Sequence, residues 1–520
     1  MAAVLVAVLA LVAAVFAGGA QASVPAEAPR GDPWAVSLGD SYISGEAGRW
    51  AGNESGTTDH IDALGRSAYW DAGDRESIEA CHRSRSAAIH IGVVRSLNLA
   101  CSGALTATHV DDAGNFKPGI DFFAQGQRKG QALMLQEFAA RNRVAMVALS
   151  IGGNDFDFEG IIEQCVKDYL KPWPLSASCR QDREIAASLA PDRVAKVRSD
   201  IRGAILNVAE AMERAGYEDG QWTLVVQTYP LPLPAAEHAR YGQSGYDRQV
   251  VGGCGFTDAD LDWAAGPLLG LINGTVVGAA RDAVGARPSL RLETLDTSRA
   301  FEERQLCHDA VWRVRESSRG VLQGAQSWRD PDAVDRSEWV MEINIVNLRE
   351  TYQQESLHPN YWGQLALRNC WRQVWNAGVV QGGSCERGAL SGLTQDCEPH
   401  VQLITASGRP AVRRDASSAP VSVTLRCPGL TVDAGSTAIL RGRVTPVAAD
   451  VALRLQVSRD GGAWRDGTVI EPGAGGHYRV AYRIPRSAPE GLTYRWRVAA
   501  LSGGHAVAVS PTRTAAVRRS

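Results

Sequence analysis

Ser41 is the residue of this chain whose surroundings most favour nucleophilic chemistry. It follows Gly39 and Asp40 at the end of a short apolar run, residues 34–38. A serine hydroxyl becomes a nucleophile only when a neighbouring base takes its proton. Gly-Asp-Ser is also a common turn sequence, so the tripeptide alone favours a turn. The choice depends on whether other segments supply a base and groups that stabilise an oxyanion.

Two later segments could supply hydrogen-bond donors. NLACSGALT, residues 98–106, places Gly103 in a loop, and SIGGNDF, residues 150–156, places Asn154 directly after an apolar run. The backbone N–H of a glycine can approach a developing oxyanion closely, and the asparagine amide can donate to the same oxygen. Each residue also has an ordinary structural interpretation, as a loop glycine and as an asparagine that caps a turn.

A candidate base lies in ESLHPNYWGQLALRNCW, residues 355–371. Pro359 suits the first turn of a helix, which places His358 just before it, held but accessible. The apolar face of this predicted helix is formed by Trp362, Ala366, Cys370 and Val374. The chain has ten histidines, among them His82 in CHRS and His308 in LCHD, but only His358 has this setting.

Alternating apolar runs and helical periodicity predict a parallel α/β sheet that positions these residues. The predicted strands are residues 34–38, 144–149 and 223–226, and a helix is predicted from a cap at Ser199 to a terminating Gly216. One face of this helix carries Ile201, Ala204, Ile205, Val208, Ala211 and Met212. Open α/β sheets bind ligands at the carboxyl ends of their strands, where Ser41 and Asn154 would both lie.

The length of 520 residues predicts more than one domain. We predict an α/β domain over residues 31–397, in which insertions at 157–198 and 235–340 cover the site. A linker over 398–420 follows, rich in small and polar residues, and then a β-sandwich of immunoglobulin or fibronectin type over 421–520. The net charge of −3 gives no electrostatic argument for a nucleic-acid or anionic membrane partner.

Residues 1–22 are typical of a signal peptide, with an apolar run followed by Ala20-Gln21-Ala22. The alternative is an uncleaved N-terminal anchor, but the apolar run is short for a membrane span, which favours cleavage after Ala22. We therefore expect a secreted protein without a transmembrane segment in the mature chain. The even number of cysteines fits disulfides, and the simplest pairing joins neighbours along the chain. These pairs are Cys81–Cys101, Cys165–Cys179, Cys254–Cys307, Cys370–Cys385 and Cys397–Cys427. No C-x-x-C or H-E-x-x-H pattern occurs, so we expect neither a metal nor a cofactor.

Four segments in order, GDSYISGE, the glycine of NLACSGA, GGND and SLHPN, resemble the four blocks of the SGNH (GDSL-like) hydrolases. CHRS followed by NLACSGA is similar to the actinobacterial secreted esterases and lipases of that family. The resemblance covers roughly residues 33–397. The G-x-S-x-G elbow of ordinary α/β-hydrolases is absent.

The resemblance implies a three-layer α/β/α flavodoxin-like domain, with Ser41 as nucleophile and His358 as general base. It also implies an oxyanion hole formed by the N–H groups of Ser41 and Gly103 and by Asn154 Nδ2. Many family members carry Asp three residues before the histidine, whereas this chain has Glu355. Either the Glu355 carboxylate is the third member of a triad, or a backbone carbonyl of Glu355 or Ser356 orients His358, which we favour slightly.

These observations give one leading hypothesis and two alternatives. The leading one is an esterase or lipase that cleaves carboxylic esters and takes part in lipid degradation. The second is a carbohydrate esterase that removes acetyl groups from a polysaccharide, with the C-terminal module contacting the polymer or another surface. The third, a non-catalytic wall-binding protein, is disfavoured because Ser41, Gly103, Asn154 and His358 are all present.

Overall fold

The structure is a computed structural model of the chain. It describes residues 28–55, 61–171, 178–313, 317–318, 321–322, 327–330, 332–344, 354–394, 396–411, 422–425, 431–445, 451–459, 463–473, 476–502, 505–510 and 512–518. The predicted signal peptide, residues 1–22, lies outside the described residues.

The N-terminal part is built around a seven-stranded sheet with helices packed against it. Up to residue 404 the strands are β1 (Trp34–Gly39), β2 (Arg95–Asn98), β3 (His109–Val110), β4 (Phe116–Lys117), β5 (Ala124–Gln125), β6 (Arg128–Lys129), β7 (Val144–Ser150), β8 (Thr223–Gln227), β9 (Leu292–Asp296), β10 (Ser317–Ser318), β11 (Val321–Leu322), β12 (Gly383–Arg387) and β13 (Val401–Ile404). The order in the large sheet is β13-β12-β9-β8-β7-β1-β2, and every neighbouring pair is parallel except β12 with β13. The three predicted strands are β1, β7 and β8, which are neighbours in the interior of this sheet.

Helices cover the sheet and supply most of the remaining core. They are α1 (Ser41–Ser44), α2 (Gln131–Ala139), α3 (Phe158–Tyr169), α4 (Arg183–Ser188), α5 (Pro191–Arg214), α6 (Asp247–Val250), α7 (Asp258–Trp263), α8 (Leu269–Ala286), α9 (Ala333–Arg336) and α10 (Tyr361–Trp375). The predicted apolar face of α5 is buried, as expected. The helix begins eight residues before Ser199, because Pro191 occupies its first position and Asp192 its first turn.

Four disulfides join the cysteines that the sequence predicts, Cys81–Cys101, Cys165–Cys179, Cys254–Cys307 and Cys370–Cys385. Cys397 is also disulfide-bonded, and its predicted partner Cys427 lies outside the described residues. This number of disulfides is typical of a protein from an oxidising or extracellular environment.

The predicted linker starts later than expected. Val401–Ile404, within the residues assigned to it, pairs antiparallel with β12 as the edge strand of the large sheet. Alternate side chains explain the difference, since Val401 and Leu403 are buried while Gln402 is exposed. Residues 412–421 lie outside the described part.

The C-terminal part consists of separate, mainly antiparallel sheets. Its strands are β14 (Ser422–Leu425), β15 (Thr431–Asp433), β16 (Thr437–Thr445), β17 (Val451–Arg459), β18 (Arg465–Ile470), β19 (His477–Arg483), β20 (Thr493–Ser502), β21 (His505–Val509) and β22 (Arg513–Arg518). One sheet has the order β14-β16-β19, and the other contains the remaining six strands. Inward-facing residues of both sheets, such as Leu440 and Trp496, share one hydrophobic cluster.

Among the described residues, one helical run could cross a membrane by length and composition, which is consistent with the expected absence of a transmembrane segment. Residues 258–286, which include α7 and α8, are long and apolar enough by length and composition. Of the most apolar window of this run, 44% is buried inside the fold. Burial of this kind is also found in core helices, so the run is weak evidence for a membrane segment.

Candidate active site

Ser41 lies at the first position of α1, directly after β1 ends at Gly39. Gly39 has φ +136°, and a Cβ atom there would lie 1.9 Å from the Ser150 carbonyl oxygen of β7. Only glycine therefore fits where the chain leaves the sheet. Asp40 then caps α1, because its carboxylate accepts from Tyr42 N at 3.2 Å. The sharp turn places Ser41 at the carboxyl end of the parallel sheet.

Tyr229 joins the turn of Ser41 to the turn of Asn154. Its hydroxyl donates to Asp40 Oδ2 and accepts from Gly153 N at 2.8 Å. Burial raises the pKa of Asp40 to about 7, although the Tyr229 hydroxyl acts to lower it. The sequence analysis did not identify Tyr229 as a site residue. It lies just after β8, so the turns that follow β1, β7 and β8 all contribute to this link.

The Cys81–Cys101 disulfide holds the loop that contains Gly103. Cys101 N donates to the Gly39 carbonyl at 3.0 Å, and Ser102 N donates to the Cys81 carbonyl at 3.0 Å. Gly103 itself has φ +74°, a conformation that favours glycine. The disulfide therefore joins CHRS to NLACSGA and fixes both beside the nucleophile turn.

Asn154 begins a single 3₁₀ turn after β7. Its Nδ2 donates to the Ala104 carbonyl at 2.9 Å, which orients the amide toward the Gly103 loop. A primary amide has two N–H groups, so the second can still serve an oxyanion.

His358 lies next to Ser41. The distance from His358 Nε2 to Ser41 Oγ is 2.6 Å. The residue before it, Leu357, has φ +59°, and its carbonyl accepts from the Tyr42 hydroxyl at 2.9 Å. Tyr42 therefore ties the histidine loop to the turn of the nucleophile. Pro359 precedes the helix cap at Asn360 instead of occupying the first turn, because the Asn360 side chain accepts from the N–H groups that open α10.

The surroundings of His358 favour its neutral form. Burial lowers its pKa below the ordinary value of 6.5, while the Glu46 carboxylate and then the backbone carbonyls of Ser356 and Glu355 act to raise it. Among the described residues, no group hydrogen-bonds His358 Nδ1. The nearby carbonyls are the acceptors toward which this nitrogen can donate, and catalytic hydrogen bonds are often loose before substrate binds.

The Glu355 carboxylate is directed away from His358. Its two oxygens accept from Trp50 Nε1 at 2.7 Å and from the Tyr69 hydroxyl. Burial raises the pKa of Glu355 to about 7. The side chain therefore anchors the loop that bears the histidine, and only the backbone of Glu355 lies near the ring.

A buried ion pair between Glu46 and His82 lies behind the site, and the sequence analysis did not assign it a role. The two carboxylate oxygens lie 2.7 and 2.8 Å from His82 Nδ1. Burial alone would lower the pKa of His82, but Glu46 raises it to about 9. Glu46 ends GDSYISGE and His82 lies in CHRS, and both segments carry the family resemblance. Their place in these segments is the feature of the sequence that could have indicated a role for the two residues.

A cavity of about 650 Å³ brings the four predicted site residues together. Ser41, Gly103, Asn154 and His358 all line it, whereas Glu355 does not. Apolar lining residues include Leu105, Phe158, Ile162, Leu269 and Ile272. Six carboxyl groups also line the cavity, those of Asp40, Asp111, Asp112, Asp157, Glu159 and Glu163. Helices α3 and α8 belong to the two predicted insertions, so both insertions contribute walls.

Among the described residues, one group has the composition of a metal site. Single ligand atoms of His238, His308 and Asp309 lie within 4.8 Å of one another. His308 Nδ1 already accepts from Ala310 N at 3.0 Å, and none of the three residues lines the cavity of Ser41. The group has no evident part in chemistry at Ser41.

No protein-family model and no curated protein matches the chain. Among solved structures, the sensor domain of the anti-sigma factor RsgI4 of Pseudobacteroides cellulosolvens aligns with 19% of this chain and 97% of its own length, at 14% identity and a TM-score of 0.16. An engineered protein aligns with 72% of this chain and 86% of its own length, at 11% identity and a TM-score of 0.17. TM-scores this low carry no argument about the fold or the function.

Proposed function

We propose that the chain is a secreted serine hydrolase of SGNH type, which cleaves carboxylic esters through an acyl-enzyme on Ser41. The observation that carries the proposal is the 2.6 Å contact between His358 Nε2 and Ser41 Oγ, at a cavity that Gly103 and Asn154 also line. A buried serine that meets a histidine at such a cavity has the arrangement of an activated nucleophile. The four sequence segments that resemble the SGNH blocks support the same assignment.

In the first half of the reaction His358 Nε2 takes the proton of Ser41 Oγ as the oxygen attacks the ester carbonyl. The negative charge that develops on the carbonyl oxygen receives hydrogen bonds from Ser41 N–H, Gly103 N–H and Asn154 Nδ2. His358 then gives the proton to the departing alcohol, and the acyl group remains on Ser41. In the second half a water molecule attacks with His358 again as base, and the acid product leaves.

The third member of the site is, in this proposal, a backbone carbonyl. A histidine base must have its Nδ1–H directed to an acceptor so that Nε2 is free to take a proton. The Glu355 carboxylate is engaged with Trp50 and Tyr69, which leaves the carbonyls of Ser356 and Glu355 near the ring. The Tyr42 hydroxyl holds the Leu357 carbonyl, which anchors the loop directly after those two residues.

The size and lining of the cavity favour, as substrates, neutral esters whose acyl chain is longer than acetyl. Its volume of about 650 Å³ is within the usual range for small-molecule sites and exceeds what an acetyl group fills. The wall formed by α3 and α8 residues gives an acyl chain an apolar contact surface. The carboxylates in the lining disfavour anionic substrates.

The proposal is tested with residues 23–520 and p-nitrophenyl acetate, butyrate, octanoate and palmitate. We expect hydrolysis that is strongest above acetate and that falls by at least about 10³-fold in Ser41→Ala. A fluorophosphonate probe should label the wild type at Ser41, as located by mass spectrometry, and should fail to label Ser41→Ala.

Ser44→Ala serves as the matched control, because Ser44 lies in the same helix and, among the described residues, its hydroxyl hydrogen-bonds backbone carbonyls and no side chain. Equal inertness of wild type and Ser41→Ala toward every ester and the probe would refute the proposal. Activity confined to acetate and acetylated polysaccharide would instead assign the carbohydrate esterase function.

A further inference from the structure

Charge is distributed unevenly along the chain. Residues 421–520 contain 14 arginines, no lysine and six acidic residues, a formal charge of +8 in a chain whose total is −3. The small total therefore conceals a basic C-terminal part and an acidic remainder. Such asymmetry indicates that the basic part has an anionic partner.

Four of these arginines lie on the outer face of the sheet β14-β16-β19. The inner face is buried through residues such as Leu440 and Val480. Because side chains alternate along a strand, the residues between them point outward, and all four arginines are exposed. We call the set the arginine face: Arg441 and Arg443 of β16 and Arg479 and Arg483 of β19.

The strand register places like charges side by side. Arg441 lies directly opposite Arg479. Directly opposed Cβ atoms are about 5 Å apart, and like charges at this separation destabilise a sheet. The three strands, SVTL, TAILRGRVT and HYRVAYR, contain no acidic residue that could offset the repulsion.

Three members of the arginine face also lack acidic partners from elsewhere. Arg441, Arg479 and Arg483 form no ion pair with any carboxylate of the described residues. A cluster that opposes folding and is not neutralised locally is expected where a ligand supplies the missing charge. This is a different situation from β17 and β18, where Arg454 is paired with Asp466 at 3.1 Å.

We propose that the arginine face binds a linear anionic polysaccharide, with guanidinium groups pairing with its carboxylates. Outward residues two apart on a strand are roughly 6.5 Å apart, and neighbouring strands about 5 Å apart, so the face is a grid of cations suited to repeated anionic groups. Guanidinium groups bind carboxylates through two parallel hydrogen bonds. The disulfides place the protein where extracellular polymers are encountered.

The composition of the face disfavours two other polyanions. The other outward residues of β16 and β19 with described side chains are Thr437, Ile439, His477 and Ala481. Single-stranded nucleic acids are bound through aromatic side chains that stack on bases, and membrane surfaces through inserted apolar or aromatic residues. Among the side chains of this face that the structure describes, there is neither a stacking platform nor an apolar patch of that kind.

Binding is measured on residues 23–520 by calorimetry with polygalacturonate at 50 and 150 mM NaCl, with neutral dextran as the uncharged polymer. The test variant is R441Q/R479Q/R483Q. The matched control, R202Q/R281Q/R291Q, removes the same charge from exposed positions in the N-terminal part. We expect the wild type and the control to bind polygalacturonate alike, and the test variant to show at least about a tenfold higher Kd and a weaker salt dependence.

Equal affinity of the test variant and the control would overturn the proposal, and so would the absence of wild-type binding to polygalacturonate. Stronger binding to phosphatidylserine vesicles or to single-stranded DNA than to polygalacturonate would overturn the choice of polymer.

Thermal unfolding of the test variant should not occur at a lower temperature than that of the wild type, since a repulsion has been removed. If the test variant unfolds at a lower temperature, the affinity of the single variant Arg483→Gln, at the end of its strand, is compared with that of the wild type instead. None of these measurements depends on ester hydrolysis, so they stand apart from the test of Ser41.

Discussion

The pH dependence of ester hydrolysis should report the ionisation of His358. A general base acts in its unprotonated form, so activity is present above its pKa and is lost as the pH falls through it. Burial lowers the pKa of His358, so we expect the acidic limb of kcat/KM for p-nitrophenyl butyrate to have its midpoint below 6.5. A midpoint above 6.5 in both the wild type and Glu355→Gln would contradict this assignment. A midpoint near 7 that moves only in Glu355→Gln would assign the limb to Glu355 instead.

Glu355→Gln should retain most of the kcat of the wild type. The Glu355 side chain accepts hydrogen bonds from Trp50 and Tyr69 and does not reach His358, so neutralising it leaves the imidazole and its nearby carbonyls in place. Neutralising a triad carboxylate typically lowers kcat by about 10⁴-fold. The test compares the steady-state kcat of Glu355→Gln with that of the wild type and of His358→Ala, which should lose activity. A loss of about 10⁴-fold in Glu355→Gln would instead identify its carboxylate as the third member of the triad.

At the scale of elements, the site is held by links between the ends of the central strands. Tyr229 after β8 bonds both Asp40 after β1 and Gly153 after β7. Removing its hydroxyl leaves a buried carboxyl with fewer partners and a backbone N–H without one. We therefore expect Tyr229→Phe to cost about 1–3 kcal/mol in the free energy of unfolding by urea and to lower kcat/KM by about 10- to 100-fold.

Tyr217→Phe provides the matched control for this prediction. The Tyr217 hydroxyl likewise accepts from Val144 N at 2.8 Å and donates to the Asn142 carbonyl at 2.7 Å, but at the opposite end of β7. It should lose similar stability and keep its activity. Equal kcat/KM in both variants would show that the Tyr229 link does not position the site.

At the scale of the whole molecule, the chain separates a buried site from an exposed charged surface. The N-terminal part carries Ser41 and His358 in a cavity, whereas the C-terminal sheets carry the arginine face and contribute none of the described residues that line that cavity. If the bound polymer also carries ester groups, attachment of the C-terminal part would raise their local concentration near the cavity without changing its chemistry.

Much of the fold and of the candidate site could be predicted from the sequence. The strands β1, β7 and β8, the buried face of α5 and four disulfide pairs follow from local apolar runs, helical spacing and cysteine order, which are properties of neighbouring residues. Ser41, Gly103, Asn154 and His358 could be named for the same reason, since each stands in a short recognisable segment. Their meeting at one cavity depends on a parallel sheet that aligns the ends of its strands.

The tertiary structure alone decided which partners those residues have. The Glu355 carboxylate turns to Trp50 and Tyr69, which are 305 and 286 residues away in the sequence, and no local pattern encodes such contacts. The same holds for Glu46 with His82 and for Tyr229 with Asp40 and Gly153. The arginine face is an intermediate case: the sequence determined the excess of arginine, but only the register of β16 on β19 placed Arg441 against Arg479. Side-chain type is local, whereas the neighbours that set its charge, orientation and partners are fixed by how distant segments pack.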